Sequence, residues 1–277
     1  MLFRFLRLLL FCSAIGAAAS GPSEVPFSLH DGFIWLETRT PKSGRTLHFI
    51  LDSGASRSVL DQGTAKELKL PLKGRVNVQG VNSRTRGYWP IPLTSQIESI
   101  SLPSEYLALD LADLSAKCGR HIDGLIGLDF FQERVVQIDF ESSQLRILNC
   151  AQPDVGSAVV SMQTRPCGMR IELTINGRES QWMRLDTGCV SPLQWVAPQI
   201  RPEECLGSRI AVGLAPFSVA EAETRVELGG ETFQNVKTGI HSKPIFPGEA
   251  GLLGLGMLQN FRSVTIDSQG HRLILER

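Results

Sequence analysis

The sequence predicts an all-β, bilobal fold, with two similar lobes in one chain and a few short helices. Three observations predict it. One short motif occurs twice, as Asp52-Ser53-Gly54-Ala55 after Phe49-Ile50-Leu51 and as Asp186-Thr187-Gly188-Cys189 after Met183-Arg184-Leu185. Each copy is followed in its own half by a glycine–apolar–apolar–glycine element, Gly124-Leu125-Ile126-Gly127 and Gly251-Leu252-Leu253-Gly254. Around these motifs the chain consists of short β-rich segments punctuated by glycine and proline, with little helical periodicity.

The first half opens with a strand at Phe33–Thr38, a turn at Pro41-Lys42-Ser43-Gly44, and a return strand from Thr46 to Leu51 that delivers Asp52. The second half repeats this with a strand at Met169–Ile175, a turn at Asn176-Gly177 and a return from Gln181 to Leu185 into Asp186. Asn-Gly is the strongest short hairpin signal, because both central residues of a type I′ turn need positive φ. A helix is predicted from Asp61 to Leu70, with Asp61 as its cap and Ala65, Leu68 and Leu70 facing inward. Shorter helices are predicted at Asp129–Gln132 and Met257–Asn260. The halves also end alike: Val136-Gln137-Ile138-Asp139-Phe140 answers Val264-Thr265-Ile266-Asp267-Ser268, and Leu145–Leu148 answers Leu273–Leu275. The resulting division is residues 1–19, 20–150 and 151–277, with Asn149–Arg165 as the connection and a duplicated lobe rather than a solenoid.

Residues 1–19 read as a signal peptide. Arg4 and Arg7 form a positive start, Leu8–Ala18 is apolar, and Ala17-Ala18-Ala19 supplies small residues for cleavage after Ala19. The apolar run is short for a membrane span, which needs about 20 residues. Phe11 before Cys12 argues against a lipid anchor. The expectation is an exported protein, periplasmic or extracellular, with no stable membrane span after processing and no long propeptide; an uncleaved signal anchor is the alternative. Lysine plus arginine and aspartate plus glutamate both number 28. This balance gives no reason to expect nucleic acid as a partner, and it lacks the acidic excess of a protein built for strong acid, so work at mildly acidic to neutral pH is expected. Beyond the signal lie Cys118, Cys150, Cys167, Cys189 and Cys205. Export permits disulfides, and Cys118–Cys150 and Cys189–Cys205 are plausible pairs that spacing does not establish. The five histidines are scattered and no cysteine pair has zinc-ligand spacing with them, so neither a metal nor a cofactor is expected.

The chemistry lies in the two Asp turns. One such turn is weak evidence, since Asp and Gly are ordinary turn residues; two at matching places in two halves are much stronger. Glycine lets the backbone approach closely, and a hydroxyl beside each Asp, Ser53 or Thr187, can bond across to the other loop. Two carboxyls brought within a few ångströms cannot both ionise cheaply, so they share a proton and titrate as a pair. The ionised member can activate water while the protonated one polarises a carbonyl. The glycine–apolar–apolar–glycine elements read as buried strand whose significance is their placement downstream of each Asp turn.

At these residues the chain resembles the retropepsin and pepsin clan of aspartic peptidases, particularly bacterial retropepsin-like proteins with two lobes in one chain. The resemblance rests on Phe49–Ser56, Ser58–Asp61 with the helix after it, Asp123–Phe131, Leu185–Gly188 and Ala250–Gly256, and is strongest in the first half. It implies the bilobal pepsin/retropepsin-like acid-protease β-barrel fold and an aspartic endopeptidase acting on peptide or protein substrates. Asp52 and Asp186 would be the catalytic dyad, with Ser53, Gly54, Thr187 and Gly188 bracing the loops. It also implies a β-hairpin flap, for which Val78–Tyr88 has the right chemistry and position; Gly80, Val81, Asn82 and Tyr88 are its candidate substrate-binding residues, with Trp89 beside them. Tyr88 and Trp89 read equally well as ordinary strand packing. A counterpart is expected near Val212–Ala215. With both Asp turns in one chain, a monomer suffices.

Two departures bear on activity. Cys189 stands where the family has Ala, Ser or Thr. Arg184 precedes Asp186 by two residues, so regular alternation would aim both at one face and place a cation where it favours two ionised carboxyls; the expectation is instead a twisted strand with Arg184 paired to an acid on the outside. Two other readings stay open. The chain could be an inactive relative binding peptides or a protein in the same cleft, or its first lobe could pair with that of a second chain.

Overall fold

The computed structural model describes residues 23–40, 44–213 and 215–277. The predicted signal peptide, its cleavage site, Cys12 and most of the Pro41–Gly44 turn lie outside the described residues. No described helix is long and apolar enough to cross a membrane.

The fold is all-β and bilobal, and the two lobes share one strand order. In the first lobe, strand Phe33–Arg39 pairs antiparallel with Thr46–Leu51, which runs parallel to Gly124–Ile126. That strand lies antiparallel to Val59–Asp61, which runs parallel to Glu105–Leu109, and the hairpin Arg75–Gly80/Ser83–Pro92 completes the series. In the second lobe, Gly168–Ile175, Gln181–Asp186, Gly251–Gly254, Leu193–Val196, Glu231–His241, Pro216–Leu228 and Gly207–Val212 follow in the same order and with the same directions.

The lobes are joined by a sheet to which each contributes three strands. Val135–Asp139 pairs antiparallel with Ser263–Asp267, with Gln137 opposite Thr265. The two segments that matched in sequence thus meet about a local two-fold axis. Gln144–Leu148 and Arg272–Glu276 flank them, and Ser23–Pro26 and Ala158–Arg165 form the outer pair. Assigning all of Asn149–Arg165 to a connection therefore overlooked a strand. Alternation at Val160 and Met162 turns two buried side chains inward while Val159, Ser161 and Gln163 stay in contact with solvent.

Local signals worked where one residue type has one job. Asp61 caps helix Gln62–Glu67 by accepting from the Thr64 amide; Ala65 is buried, and Leu68 and Leu70 pack on the core just beyond the helix. Asn176 (φ 53°) and Gly177 (φ 68°) take the positive-φ turn. The short helices run over Leu128–Phe131 and Leu255–Leu258, slightly earlier than expected. Helix Ala112–Lys117, which buries no residue, was not predicted. A continuous core runs through both lobes and includes Phe49, Tyr106, Phe130, Phe131, Trp195 and Phe261.

Neither suggested disulfide forms: all five described cysteines are free. Cys118 is buried in an apolar cluster with Phe33, Trp35 and Ile122, whereas Cys150 is exposed. The Cys189 thiol points to the Ser191 carbonyl and the Cys205 thiol to that of Arg201. A bridge needs its two Cβ atoms within about 4.5 Å and directed at each other.

Candidate active site

Both Asp turns are delivered by the same construction. The strand that delivers Asp52 or Asp186 lies beside the glycine–apolar–apolar–glycine strand, which in turn anchors the loop beyond the Asp. The Leu128 amide donates to the Ala55 carbonyl at 2.8 Å, and its counterpart Leu255 donates to the Cys189 carbonyl at 2.7 Å. The glycines are needed for clearance. A Cβ on Gly127 would lie 2.4 Å from the Arg57 carbonyl oxygen, and one on Gly254 would lie 2.0 Å from that of Ser191.

The turns interlock across the two lobes. The Ser53 amide donates to Thr187 Oγ1 at 2.9 Å, and the Thr187 amide donates to Ser53 Oγ at 3.0 Å. Each hydroxyl then donates to a carbonyl of the opposite lobe, Ser53 to Leu185 and Thr187 to Leu51, both at 2.9 Å. Both side chains are fully buried. In a low-dielectric setting a fully satisfied network of this kind is stiff, since breaking one bond strands a buried partner.

This interlock brings the carboxyls of Asp52 and Asp186 close enough that each perturbs the other's ionisation. A Cβ on Gly54 would lie 2.3 Å from the Asp186 carboxyl carbon, and one on Gly188 would lie 2.4 Å from that of Asp52. Each glycine thus leaves the space that the opposite carboxyl fills. The environments differ. Asp52 Oδ1 accepts from the Gly54 and Ala55 amides, both at 3.0 Å, whereas Asp186 Oδ1 accepts from the Gly188 amide alone, at 2.9 Å. Burial pushes both acids up. Asp186 goes well above the ordinary range because the charge on Asp52 adds to its burial; Asp52 is held back by its two amide donors. The arrangement can therefore hold one proton between the two carboxyls, which titrate as a pair.

Arg184 is not on the outside. It is 6 % exposed and donates through Nε and Nη2 to both oxygens of Glu249, at 2.7 and 3.0 Å. It does pair with an acid, as expected, but in the interior, because Nη1 reaches the carbonyls of Gly54 (2.9 Å) and Cys167 (3.0 Å). The guanidinium lies 3.7 Å from the centre of the Phe246 ring. Glu249 and Phe246 went unnoticed in the sequence; the one available signal was the place of Glu249 two residues before Gly251.

The first hairpin turns at Val81-Asn82, with Asn82 at φ 52°, so Gly80, Val81 and Asn82 form its tip. Tyr88 lies apart from the tip, opposite Arg75 and Ala108, and packs half-buried on the core. Trp89 stacks under the Arg57 guanidinium at 4.4 Å. The second lobe has the matching hairpin, Gly207–Val212/Pro216–Leu228; Leu214 in its turn is outside the described residues. The two tips meet, since a Cβ on Gly213 would lie 3.6 Å from Val81 Cβ. Beside the first tip is a cavity of about 220 Å³ lined by Gln79, Gly80, Asn82, Ser83, Arg84, Pro244 and Ile245.

Residues 42–130 match the family described as aspartyl protease. This span contains the first Asp turn and Gly124–Gly127 and ends before the second lobe. The chain is also similar to the retrovirus-related Pol polyprotein from transposon 412 of Drosophila melanogaster, with 28 % identity over 106 residues, which is 37 % of this chain and 8 % of the polyprotein. The chain thus spans a small fraction of the curated relative it matches. Both matches show likeness to aspartyl proteases over part of this chain.

Proposed function

We propose that the protein is an exported aspartic endopeptidase that hydrolyses peptide bonds with water activated by the Asp52/Asp186 pair. The reciprocal fit of the two turns carries this reading: each glycine faces the other lobe's carboxyl, and the Ser53 and Thr187 hydrogen bonds hold the two loops together. Asp52, favoured as the ionised member by its two amide donors, takes a proton from water as the oxygen attacks the scissile carbonyl carbon. Asp186 gives its proton to the carbonyl oxygen. Collapse of the tetrahedral species breaks the C–N bond; the amine takes the proton from Asp52, and the diol hydroxyl returns one to Asp186. One water is consumed and the pair is restored.

Substrate would lie extended beneath the two hairpins, pairing its backbone with strand edges while side chains alternate into pockets. Gly80, Val81 and Asn82, at the first tip, would close over it, with Gly213 opposite. The division at 150/151 fits a lobe on each side of the pair, and one chain holds both aspartates, so the active form is read as a monomer. Export rests on the character of residues 1–19, and N-terminal sequencing of the secreted protein would test cleavage after Ala19.

The activity is tested by incubating purified residues 20–277 with a diverse peptide mixture across pH 3 to 8, beside Asp52→Asn and Asp186→Asn. Cleavage abolished by either substitution supports the reading. A folded wild-type chain that cleaves nothing, yet retains peptides in both variants, would replace it with a binding module.

A further inference from the structure

Arg184 and Glu249 have counterparts in the first lobe, because the strands around the two Asp turns pair in the same register. Gly124 lies opposite Phe49, and Gly251 lies opposite Met183. One step along each strand puts Ile50 in the place of Arg184, and two steps before each glycine put Ile122 in the place of Glu249. Ile50 and Ile122 are buried in one apolar cluster. The architecture therefore accepts an apolar pair at these positions, and the second lobe has exchanged it for a buried ion pair.

A buried pair of this kind is a poor source of stability, since desolvation offsets most of the attraction. Its geometry indicates another role. The planar fork of Arg184 spends two donors on Glu249, which fixes its plane, and sends Nη1 across the lobe boundary to the carbonyl of Gly54. Gly54 is the residue whose amide holds Asp52 Oδ1 and whose Cα faces the Asp186 carboxyl. The segment carrying Glu249 also brings Phe246 against the guanidinium and Ile245 to the cavity beside the first hairpin tip.

We propose that Arg184 is a positioning residue for the hydrolysis, clamping the Asp52 turn from the opposite lobe, with Glu249 as the carboxylate that holds the clamp in place. The inference rests on the reading of the site as a peptidase. The charged groups facing Arg184 are Glu249 from the segment before Gly251, Asp186 on its own strand, Asp52 from the other lobe, and Arg170, opposite it on the adjacent strand. Its charge draws both aspartates downward, against their burial. Losing Arg184 should therefore raise the titration of the pair as well as loosen the turn.

The test copies the first lobe into the second. The double variant Arg184→Ile/Glu249→Ile removes both charges together, so it should fold, and a retained thermal transition would establish that. It is compared with wild type and Arg184→Lys in residues 20–277. The readouts are kcat and KM against pH, and the carboxyl titration followed by aspartate ¹³C NMR. The double variant is expected to lose about tenfold or more in kcat with KM within about threefold, as for a small misplacement of reacting groups, and its carboxyl midpoints should rise. Arg184→Lys is expected to keep the midpoints near wild type while kcat stays low, because an ammonium carries the charge without the fork. A folded double variant with wild-type kcat and midpoints would overturn the proposal. Should wild type itself cleave nothing, the peptidase reading fails separately, and amide hydrogen exchange decides the clamp, since unchanged protection of the Gly54 and Ala55 amides in the folded double variant would refute it.

Discussion

Ser53 and Thr187 exchange hydrogen bonds across the lobe boundary, each amide donating to the other's hydroxyl at 2.9 and 3.0 Å. Ser53→Ala would remove one acceptor and one donor from a fully buried setting, stranding the Thr187 amide and the Leu185 carbonyl. Each stranded group costs about 1–3 kcal/mol. Urea unfolding should show a loss of about 2–4 kcal/mol for Ser53→Ala and a similar loss for Thr187→Val, with peptide cleavage falling in both. Stability within about 0.5 kcal/mol of wild type would mean that the interlock is not a principal bond between the lobes.

The aspartates should act oppositely on activity and on stability. Burial raises both above the 3.8 of an ordinary aspartate, so the folded state holds protons more tightly than the unfolded one. Stability from this source is present below 3.8 and is lost as pH rises through the folded values. An asparagine cannot ionise and escapes that loss. Asp186→Asn should abolish cleavage yet unfold at the same or a higher temperature than wild type at pH 7, the advantage shrinking toward pH 3. Calorimetry at the two pH values checks this; a variant clearly less stable at pH 7 would contradict it.

His241 should set an acid limit to the fold. It is buried in the second lobe, bonded to Gln194 Oε1 at 2.7 Å, with Gln194 donating on to Ser191. Burial, with Arg209 nearby, pushes its imidazole down to about 4 from 6.5. Because the unfolded chain takes the proton first, stability is full above about 6.5 and declines as pH falls toward 4, by about 2–3 kcal/mol in all. His241→Gln should flatten this part of the stability profile in urea titrations between pH 4 and 7. A wild-type profile already flat there would contradict the assignment.

The cysteines should separate by reactivity. Cys150 and Cys167 are exposed, whereas burial pushes the Cys118 thiol up to about 11 and the Cys189 thiol, with Asp186 beside it, up to about 12. The thiolate is the reactive form. Labelling of residues 20–277 at pH 8 should modify Cys150 and Cys167 within minutes and leave Cys118 and Cys189 unlabelled until denaturation. Peptide mapping that finds Cys118 joined to Cys150, or Cys189 to Cys205, would restore the pairings that the structure rejects.

Much of this arrangement was legible because duplication makes weak signals mutually supporting. Neither Asp turn is informative alone, but each preceded by a returning strand and followed by a glycine–apolar–apolar–glycine strand defines a lobe. Asp61 and Asn176-Gly177 were readable because capping and positive φ suit few residue types. The Arg184–Glu249 pair was not: alternation placed Arg184 toward Asp186, and nothing local shows that a carboxylate 65 residues on will pair with it. Strand Ala158–Arg165 was hidden because only Val160 and Met162 of its eight residues are buried, and helix Ala112–Lys117 by its lack of a buried face.

The central claim is that one chain completes the carboxyl pair, and mixing two inactive variants tests it most directly. Residues 20–277 carrying Asp52→Asn and those carrying Asp186→Asn are assayed separately and combined, beside wild type over a range of concentrations. An intrachain pair predicts that wild type cleaves with a specific activity independent of concentration, and that each variant and their mixture are inactive. Recovery of cleavage in the mixture, or full activity in Asp186→Asn alone, would contradict it and assign the pair to two chains.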